Sequence, residues 1–208
     1  MKIDFDWTYY LLIALAIIFN FAKPEDVDPI HSFFLGFGAL LTAATIFLSR
    51  WARNPIGIKQ VNIPAFLMQT SLSSVVLGLP VFIHRPAAVI TTQTLVVAIV
   101  AEESYRIAAS KLSYIAFTSP TFSILVSGVV FAAMHMYWYP AEWLFAIVGG
   151  MLFSATLIYF ASETACIASH YLYDALVFGF IPVAFFFILT IGMGVVGYGT
   201  RGLQPIEH

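Results

Sequence analysis

Long apolar stretches separated by short polar clusters run along almost the whole chain. Five of them carry no Asp, Glu, Lys or Arg, and about 20 apolar residues are enough to cross a bilayer as a helix. A sixth stretch, 7–22, is shorter; it has Trp7 at one end and Lys23 beyond the other, which is typical of interfacial anchors. The charge-free stretches are 29–49, 60–84, 112–141, 143–162 and 175–200.

Prolines, glycines and polar clusters divide the chain into about eight helices. The pattern predicts an all-α fold, a polytopic integral membrane helix bundle of about eight transmembrane helices. We expect residues 1–208 to form a single transmembrane domain, in which 88–178 is the core that carries the polar motifs. The predicted helices are 7–22, 32–49, 63–83, 88–117, 120–137, 141–161, 164–178 and 180–199.

Positive charges near the predicted helix ends indicate the orientation in the membrane. Most of them fall on one side of the alternating arrangement, whereas the other side has Lys23 and Arg85 together with Glu25, Asp26 and Asp28. Because positively charged loops stay in the cytoplasm, we expect a multi-pass protein with both termini cytoplasmic. The charges on the expected cytoplasmic side are Lys2, Arg50, Arg53, Lys59, Lys111 and Arg201.

Composition agrees with a membrane protein and argues against two other classes. Of the 208 residues, 61% are hydrophobic and 10% are charged, whereas soluble domains carry about 25% charged residues. The formal net charge of −2 lacks the basic excess of a protein that binds polyanions. We therefore expect the lipid bilayer as surroundings and no nucleic-acid partner.

Ionisable side chains interrupt three of the apolar helices. In the fourth, Glu102 and Glu103 precede Arg106, which shares a helical face with each of them. His135 lies near the end of the fifth helix, and His170 is one turn before an aspartate in the seventh. Such groups mark functional sites by default, because each charge at mid-membrane costs about 2.5–3.5 kcal/mol. The structural alternative is a neutralised ion pair, a core histidine or a polar contact between helices.

A depth argument brings two of these residues together. If the fourth and fifth helices turn near Ser119-Pro120, Glu102 and His135 each lie about 16 residues from the turn and therefore at similar depth. His170 comes soon after its helix begins, on the side of that same turn. We expect a tilt, a broken helix or a longer sixth helix to bring it to the others.

The three motifs, in this order and on separate helices, resemble the CPBP group, which comprises CAAX prenyl endopeptidases and bacteriocin-processing or self-immunity proteins. The resemblance rests on Glu-Glu followed by Arg, on Phe131-x-x-x-His135 and on His170-x-x-x-Asp174, and it covers about 98–176. The group's usual first motif is Glu-Glu-x-x-x-Arg. Here the arginine comes one residue earlier, and we align the two glutamates.

The resemblance implies an intramembrane endopeptidase that hydrolyses a peptide bond in a membrane-embedded or lipidated peptide. Such hydrolysis needs an activated water, a stabilised oxyanion and a proton for the leaving nitrogen. In this interpretation Glu102 is the general base, with Glu103 as its substitute. His135 and His170 position the water or stabilise the oxyanion, and Asp174 orients His170. The supporting residues are Arg106, which holds the carboxylates, and Phe131.

Metal dependence and two other functions are open from the sequence. The cofactor is unknown; if zinc is present, Glu102, His135 and His170 could bind it with one open position. The same side chains could form the proton or cation relay of a transporter. A third hypothesis is a non-catalytic CPBP-like subunit with partners in a membrane complex. Cys166, one turn before His170, is a conceivable thiol nucleophile.

Overall fold

A computed structural model describes residues 4–51, 58–82, 92–138 and 143–201. These contain eight α-helices, 3₁₀ turns at Pro24–Asp26 and Leu79–Phe82, and a parallel pair of two-residue strands, β1 (Phe5–Asp6) and β2 (Ile58–Lys59). The helices are α1 (Trp7–Ala22), α2 (Pro29–Trp51), α3 (Ile63–Gly78), α4 (Thr92–Phe117), α5 (Pro120–Trp138), α6 (Trp143–Phe160), α7 (Glu163–Val177) and α8 (Val183–Arg201).

The predicted all-α membrane helix bundle is confirmed, and each of the eight predicted helices has a counterpart. The largest difference is in α3, which ends at Gly78 and continues as a 3₁₀ turn. Within the described ranges, three helices are long and apolar enough to cross a membrane: Pro29–Ser49, Trp143–Phe160 and Val183–Arg201. Some residues used in the predictions lie outside the described ranges, namely 83, 88–91, 141–142, Lys2, Arg53 and Arg85, and the side chain of Arg50 is not described either.

Helix α4 is the buried centre of the bundle. Between Leu95 and Lys111 its one exposed residue is Val96, and α1, α2, α5, α6 and α7 all pack against it. Its ionisable side chains therefore face other helices. This is the arrangement in which charges are tolerated inside a membrane protein, because neighbouring helices supply the partners that lipid cannot.

A tight turn makes α4 and α5 the hairpin that the depth argument assumed. Thr118 takes a left-handed conformation with φ 52°, and its N–H donates to the Tyr114 carbonyl oxygen at 2.7 Å, which ends α4 as such caps do. Pro120 then begins α5, where the missing N–H costs nothing because the first helical N–H groups have no intrahelical acceptor.

Glycines let α5 and α6 approach closely beside the second motif. A Cβ on Gly150 would lie 2.7 Å from the Cβ of Phe131 and 2.9 Å from the Ser127 carbonyl oxygen. A Cβ on Gly128 would lie 2.8 Å from the Ile147 carbonyl oxygen. Small residues at such crossings are what allow helix backbones to touch in membranes, and this contact fixes α5 one turn before His135.

A second group of charges, the ionic cluster, joins both strands to α4 and α7. Glu163 contacts Lys111 through one carboxylate oxygen and Lys59 through the other, at 3.3 Å. Its second oxygen also accepts the Asp6 N–H at 2.8 Å, and Lys59 lies 3.8 Å from the Asp6 carboxylate. Because Lys111 and Glu163 are almost completely buried, the cluster fixes where α7 begins. The ionic cluster consists of Asp6, Lys59, Lys111 and Glu163.

Candidate active site

The two adjacent glutamates of α4 point to different partners. Successive residues of a helix are rotated by about 100°, so Glu102 and Glu103 point in different directions and share His170 only through its two different ring nitrogens. Glu102 faces imidazoles from three other helices. Glu103 is completely buried and faces Arg106 on its own helix and His170 on α7.

Three histidines surround the Glu102 carboxylate. Nε2 of His135, from α5, and Nε2 of His170, from α7, each lie 3.7 Å from its Oε2 atom. Nε2 of His31, from α2, lies 3.5 Å from Oε1. The structure therefore brings together Glu102, His135 and His170, which the sequence places on three separate helices, and adds a third imidazole on the other carboxylate oxygen.

Phe131 and the α5 backbone fix the orientation of His135. The Nδ1 atom of His135 lies 2.9 Å from the Phe131 carbonyl oxygen one turn earlier. Because a carbonyl oxygen only accepts, Nδ1 carries the hydrogen and Nε2 is the atom presented to Glu102. The Phe131 ring also contacts both imidazoles, with centroids 4.3 Å from His135 and 5.3 Å from His170.

Glu103 and Arg106 form a buried ion pair that also holds His170. Arg106 donates from Nε to Glu103 Oε2 at 3.1 Å and from a terminal nitrogen to the same oxygen. The other terminal nitrogen donates to Ser127 Oγ at 3.0 Å, and that hydroxyl donates to the Gly150 carbonyl oxygen. The remaining oxygen of Glu103 accepts from His170 Nδ1 at 3.0 Å. Both carboxylate oxygens of Glu103 are thus occupied.

Asp174 lies at the edge of the same cluster. Its Oδ2 atom is 3.6 Å from His170 Nε2, the nitrogen that also faces Glu102. From the sequence, Asp174 was expected to orient His170. In the structure the shorter contact of this imidazole is to Glu103. Asp174 therefore lies on the Nε2 side of the ring, which also faces Glu102, and Glu103 lies on the Nδ1 side.

The depth of His170 follows from the ionic cluster. Glu163, the first residue of α7, contacts Lys111 of α4. From Lys111 back to Glu103 is eight residues, about 12 Å of helix, and from Glu163 on to His170 is seven, about 10.5 Å. The two side chains therefore meet because α7 begins at the depth of Lys111. Helix α6 is not longer than predicted, since it ends at Phe160.

The cluster has one accessible edge and one buried side. Side-chain exposure is 18% for His135, 18% for Asp174 and 10% for Glu102, against 4% for His170 and 0% for Glu103. The Glu102 carboxylate is therefore partly exposed at this edge. The residues that position the site lie on the inner side, away from water.

The donor atoms do not have the spacing of a metal centre. Among the residues that the structure describes, no group of three His, Cys, Asp or Glu side chains could hold a metal ion. We therefore derive no step through a metal.

The sequence did not single out His31, and it left open whether Cys166 is a nucleophile. His31 lies in the first turn of α2, and the rule that singled out the other intramembrane ionisable residues applies to it equally. The Cys166 thiol is completely buried and lies 3.1 Å from Gln69 Nε2. A thiol packed in this way is a poor nucleophile.

A family model identifies the segment that carries these motifs. Residues 83–176 match the family described as Type II CAAX prenyl endopeptidase Rce1-like. The match covers a little less than half of the chain, includes α4, α5, α6 and all but the last residue of α7, and confirms the resemblance to the CPBP group. Comparison with curated proteins and with solved structures gave no significant match.

Proposed function

Because residues 83–176 match the Rce1-like family of type II CAAX prenyl endopeptidases, we propose that the protein is an intramembrane endopeptidase in which Glu102 activates water. The observation that carries the proposal is the Glu102 carboxylate between helices, with the His135 and His170 imidazoles both 3.7 Å from one oxygen. One water can contact two such atoms at once, since hydrogen bonds of about 2.8 Å to each fit that separation.

The proposed reaction is water attack on a peptide carbonyl. Glu102 accepts a proton from the water as its oxygen bonds to the carbonyl carbon, and the carbonyl π electrons move to oxygen. The imidazoles of His135 and His170, whose Nδ1–H groups are held by the Phe131 carbonyl oxygen and by Glu103, act as imidazolium ions and donate from Nε2 to that oxyanion. When the carbonyl re-forms, the C–N bond breaks, and the proton on Glu102 passes to the leaving nitrogen. The products are a carboxylic acid and an amine, and Glu102 is again ionised.

Glu103 and Arg106 serve in this mechanism as positioning residues. Both oxygens of Glu103 are engaged, one by Arg106 and one by His170, so Glu103 is a poor substitute for Glu102 as base. Its contact with Nδ1 leaves Nε2 of His170 directed at the reaction site. Asp174, on the accessible edge, is placed to contact the substrate or the leaving amine.

The proposed substrate is a membrane-embedded or lipidated peptide. The family's description points to a peptide that ends in a prenylated cysteine followed by three residues. The apolar exterior of the bundle supports a substrate that arrives from lipid: α8, for example, exposes Ile188, Ile191, Val195 and Val196. Protein partners in a membrane complex are expected only under the alternative function, in which the chain is a non-catalytic subunit.

The test of this function is cleavage by the purified protein in liposomes. The probe is a peptide with a farnesylated cysteine and three C-terminal residues, with a fluorophore and a quencher on either side of the bond after the cysteine. We expect cleavage, and little cleavage of the same peptide without the lipid. Ion flux without cleavage would favour the relay, and stable copurification with other proteins without cleavage would favour the non-catalytic subunit.

We further propose that both termini are cytoplasmic, so that the site lies nearer the opposite face, where α2 begins at Pro29. Glu25, shortly before α2, and Trp51, its last residue, are both exposed, and the 23 residues of this helix span about 33 Å. In intact cells, a membrane-impermeant maleimide should label Glu25→Cys and should label Trp51→Cys after permeabilisation only. The buried Cys166 should stay unlabelled in both variants, and the reverse labelling pattern would contradict this orientation.

A further inference from the structure

His31 contacts the carboxylate of Glu102 from a side that the family motifs do not occupy. Its Nε2 atom lies 3.5 Å from Oε1, whereas His135 and His170 both face Oε2. The residue is 8% exposed, and it comes from α2, which lies outside the matched segment. One carboxylate is therefore contacted through both oxygens by different helices.

The start of α2 is held firmly enough to place this imidazole. Asp28 accepts the Ile30 N–H through its carboxylate at 2.9 Å, which caps the helix. Ser32 donates to the Asn20 side chain on α1 at 2.6 Å. The backbone position of His31 is thus fixed by hydrogen bonds on both sides of it.

The register of α2 against α4 is fixed as well. The Phe34 ring packs on Tyr105, with centroids 5.2 Å apart. Gly38 lies against Ser104, so closely that a Cβ would overlap the serine side chain. Because these contacts lie within one turn of Glu102, any sliding of α2 that removed His31 from the carboxylate would break them.

A general base of this kind needs a fixed carboxylate plane. The last torsion of a glutamate side chain is broad and roughly two-fold, so contacts to Oε2 alone leave Glu102 free to rotate. We propose that His31 is a positioning residue, resting on the proposed function, whose Nε2–H donates to Oε1 of Glu102 and keeps Oε2 directed at the water between His135 and His170. His31 itself exchanges no proton with the substrate.

Two substitutions separate this role from its alternatives. In His31→Phe the ring is kept and the donor is lost; in His31→Gln a side-chain N–H of similar reach is kept. With the farnesylated quenched peptide in liposomes, we expect His31→Phe to lower kcat about 10- to 100-fold, the range that a small misplacement of a catalytic group produces. KM should stay within about twofold of the wild-type value, and His31→Gln should keep kcat within about threefold.

Controls distinguish a positioning effect from misfolding. Leu40 is on the same helix and 63% exposed, so Leu40→Ala should have wild-type kcat. The thermal unfolding midpoint of His31→Phe should lie within a few degrees of the wild-type value. The lower kcat of this variant would then come from the site and not from misfolding.

Three results would overturn the inference alone while the wild-type protein is active. They are full activity of His31→Phe, a change in KM without a change in kcat, and a His31→Gln variant as inactive as His31→Phe, which would mean that the imidazole transfers a proton. Absence of cleavage by the wild-type protein would instead overturn the proposed function and this inference together.

Discussion

Replacing Glu102 with glutamine is expected to lower kcat for cleavage of the farnesylated peptide by about 10²- to 10⁴-fold, the contribution of a general base. Glutamine has nearly the shape of glutamate and can still contact the three imidazoles, but its amide cannot accept a proton from water at neutral pH. The measurement is the initial rate of fluorescence increase in liposomes at saturating peptide. KM should change much less than kcat, because the carboxylate acts on water in the transition state.

A matched control is Glu25→Gln. Glu25 lies exposed in the 3₁₀ turn between α1 and α2, so the same chemical change there should leave the rate unaltered. Glu102→Gln should still fold in detergent, as circular dichroism would show, because glutamine keeps the volume of glutamate and a side-chain oxygen that accepts hydrogen bonds from the imidazoles. A Glu102→Gln variant with a third or more of wild-type activity would refute the assignment of this residue as base.

The second large effect is expected on stability. Lys111→Met should lower the free energy of unfolding by about 3 kcal/mol, the lower end of the range for breaking a buried ion pair. The reason is that Glu163, which is completely buried, loses its contact with Lys111. The cost stays near the lower end because Lys59 still lies 3.3 Å from the same carboxylate. Unfolding in a denaturing detergent titration, followed by circular dichroism, measures this change.

The double variant Lys111→Met/Glu163→Gln tests the cause. It removes the uncompensated carboxylate, and the glutamine oxygen can still accept the Asp6 N–H. We therefore expect it to recover at least half of the lost stability, as a coupling between neighbours. Lys23→Met is the surface control: Lys23 is 61% exposed and 3.8 Å from Asp26, and such pairs contribute below about 1 kcal/mol. Equal losses in the single and double variants would show that the ion pair is not what stabilises α7.

Both predictions concern the same geometry, since the ionic cluster sets the depth of α7. If Lys111→Met shifts the start of that helix, His170 moves relative to Glu103 and Glu102. We therefore expect the folded fraction of Lys111→Met to be less active as well. The double variant, which regains stability, should also regain activity.

Much of the helix arrangement could be predicted from the sequence because each span is a local pattern. Apolar stretches of about 20 residues, ended by Pro, Gly or charges, specify helices regardless of their neighbours. The α4–α5 hairpin follows from Ser119-Pro120, and it places Glu102 and His135 at one depth by counting residues from a single turn. Their separation of 3.7 Å agrees with that count.

The position of His170 could not be counted in this way. Its depth depends on where α7 begins, and that is set by the contact of Glu163 with Lys111, 52 residues away in the chain. The pairing of the glutamates shows the same limit. The sequence allows Arg106 to contact either carboxylate, whereas the neighbours of α4 direct Glu103 to Arg106 and Glu102 to the imidazoles.

The sequence by itself determined the class of protein, the number of helices, the ionisable residues that interrupt them and the family to which they point, because hydropathy and motif spacing are properties of the chain. Only the tertiary structure decided that His31 lies beside Glu102, that Glu103 contacts the Nδ1 atom of His170, and that the ionic cluster sets the depth of α7. Those features depend on how helices rotate and slide against each other. Packing and ion pairing between distant segments fix that rotation and depth, and no local pattern records them.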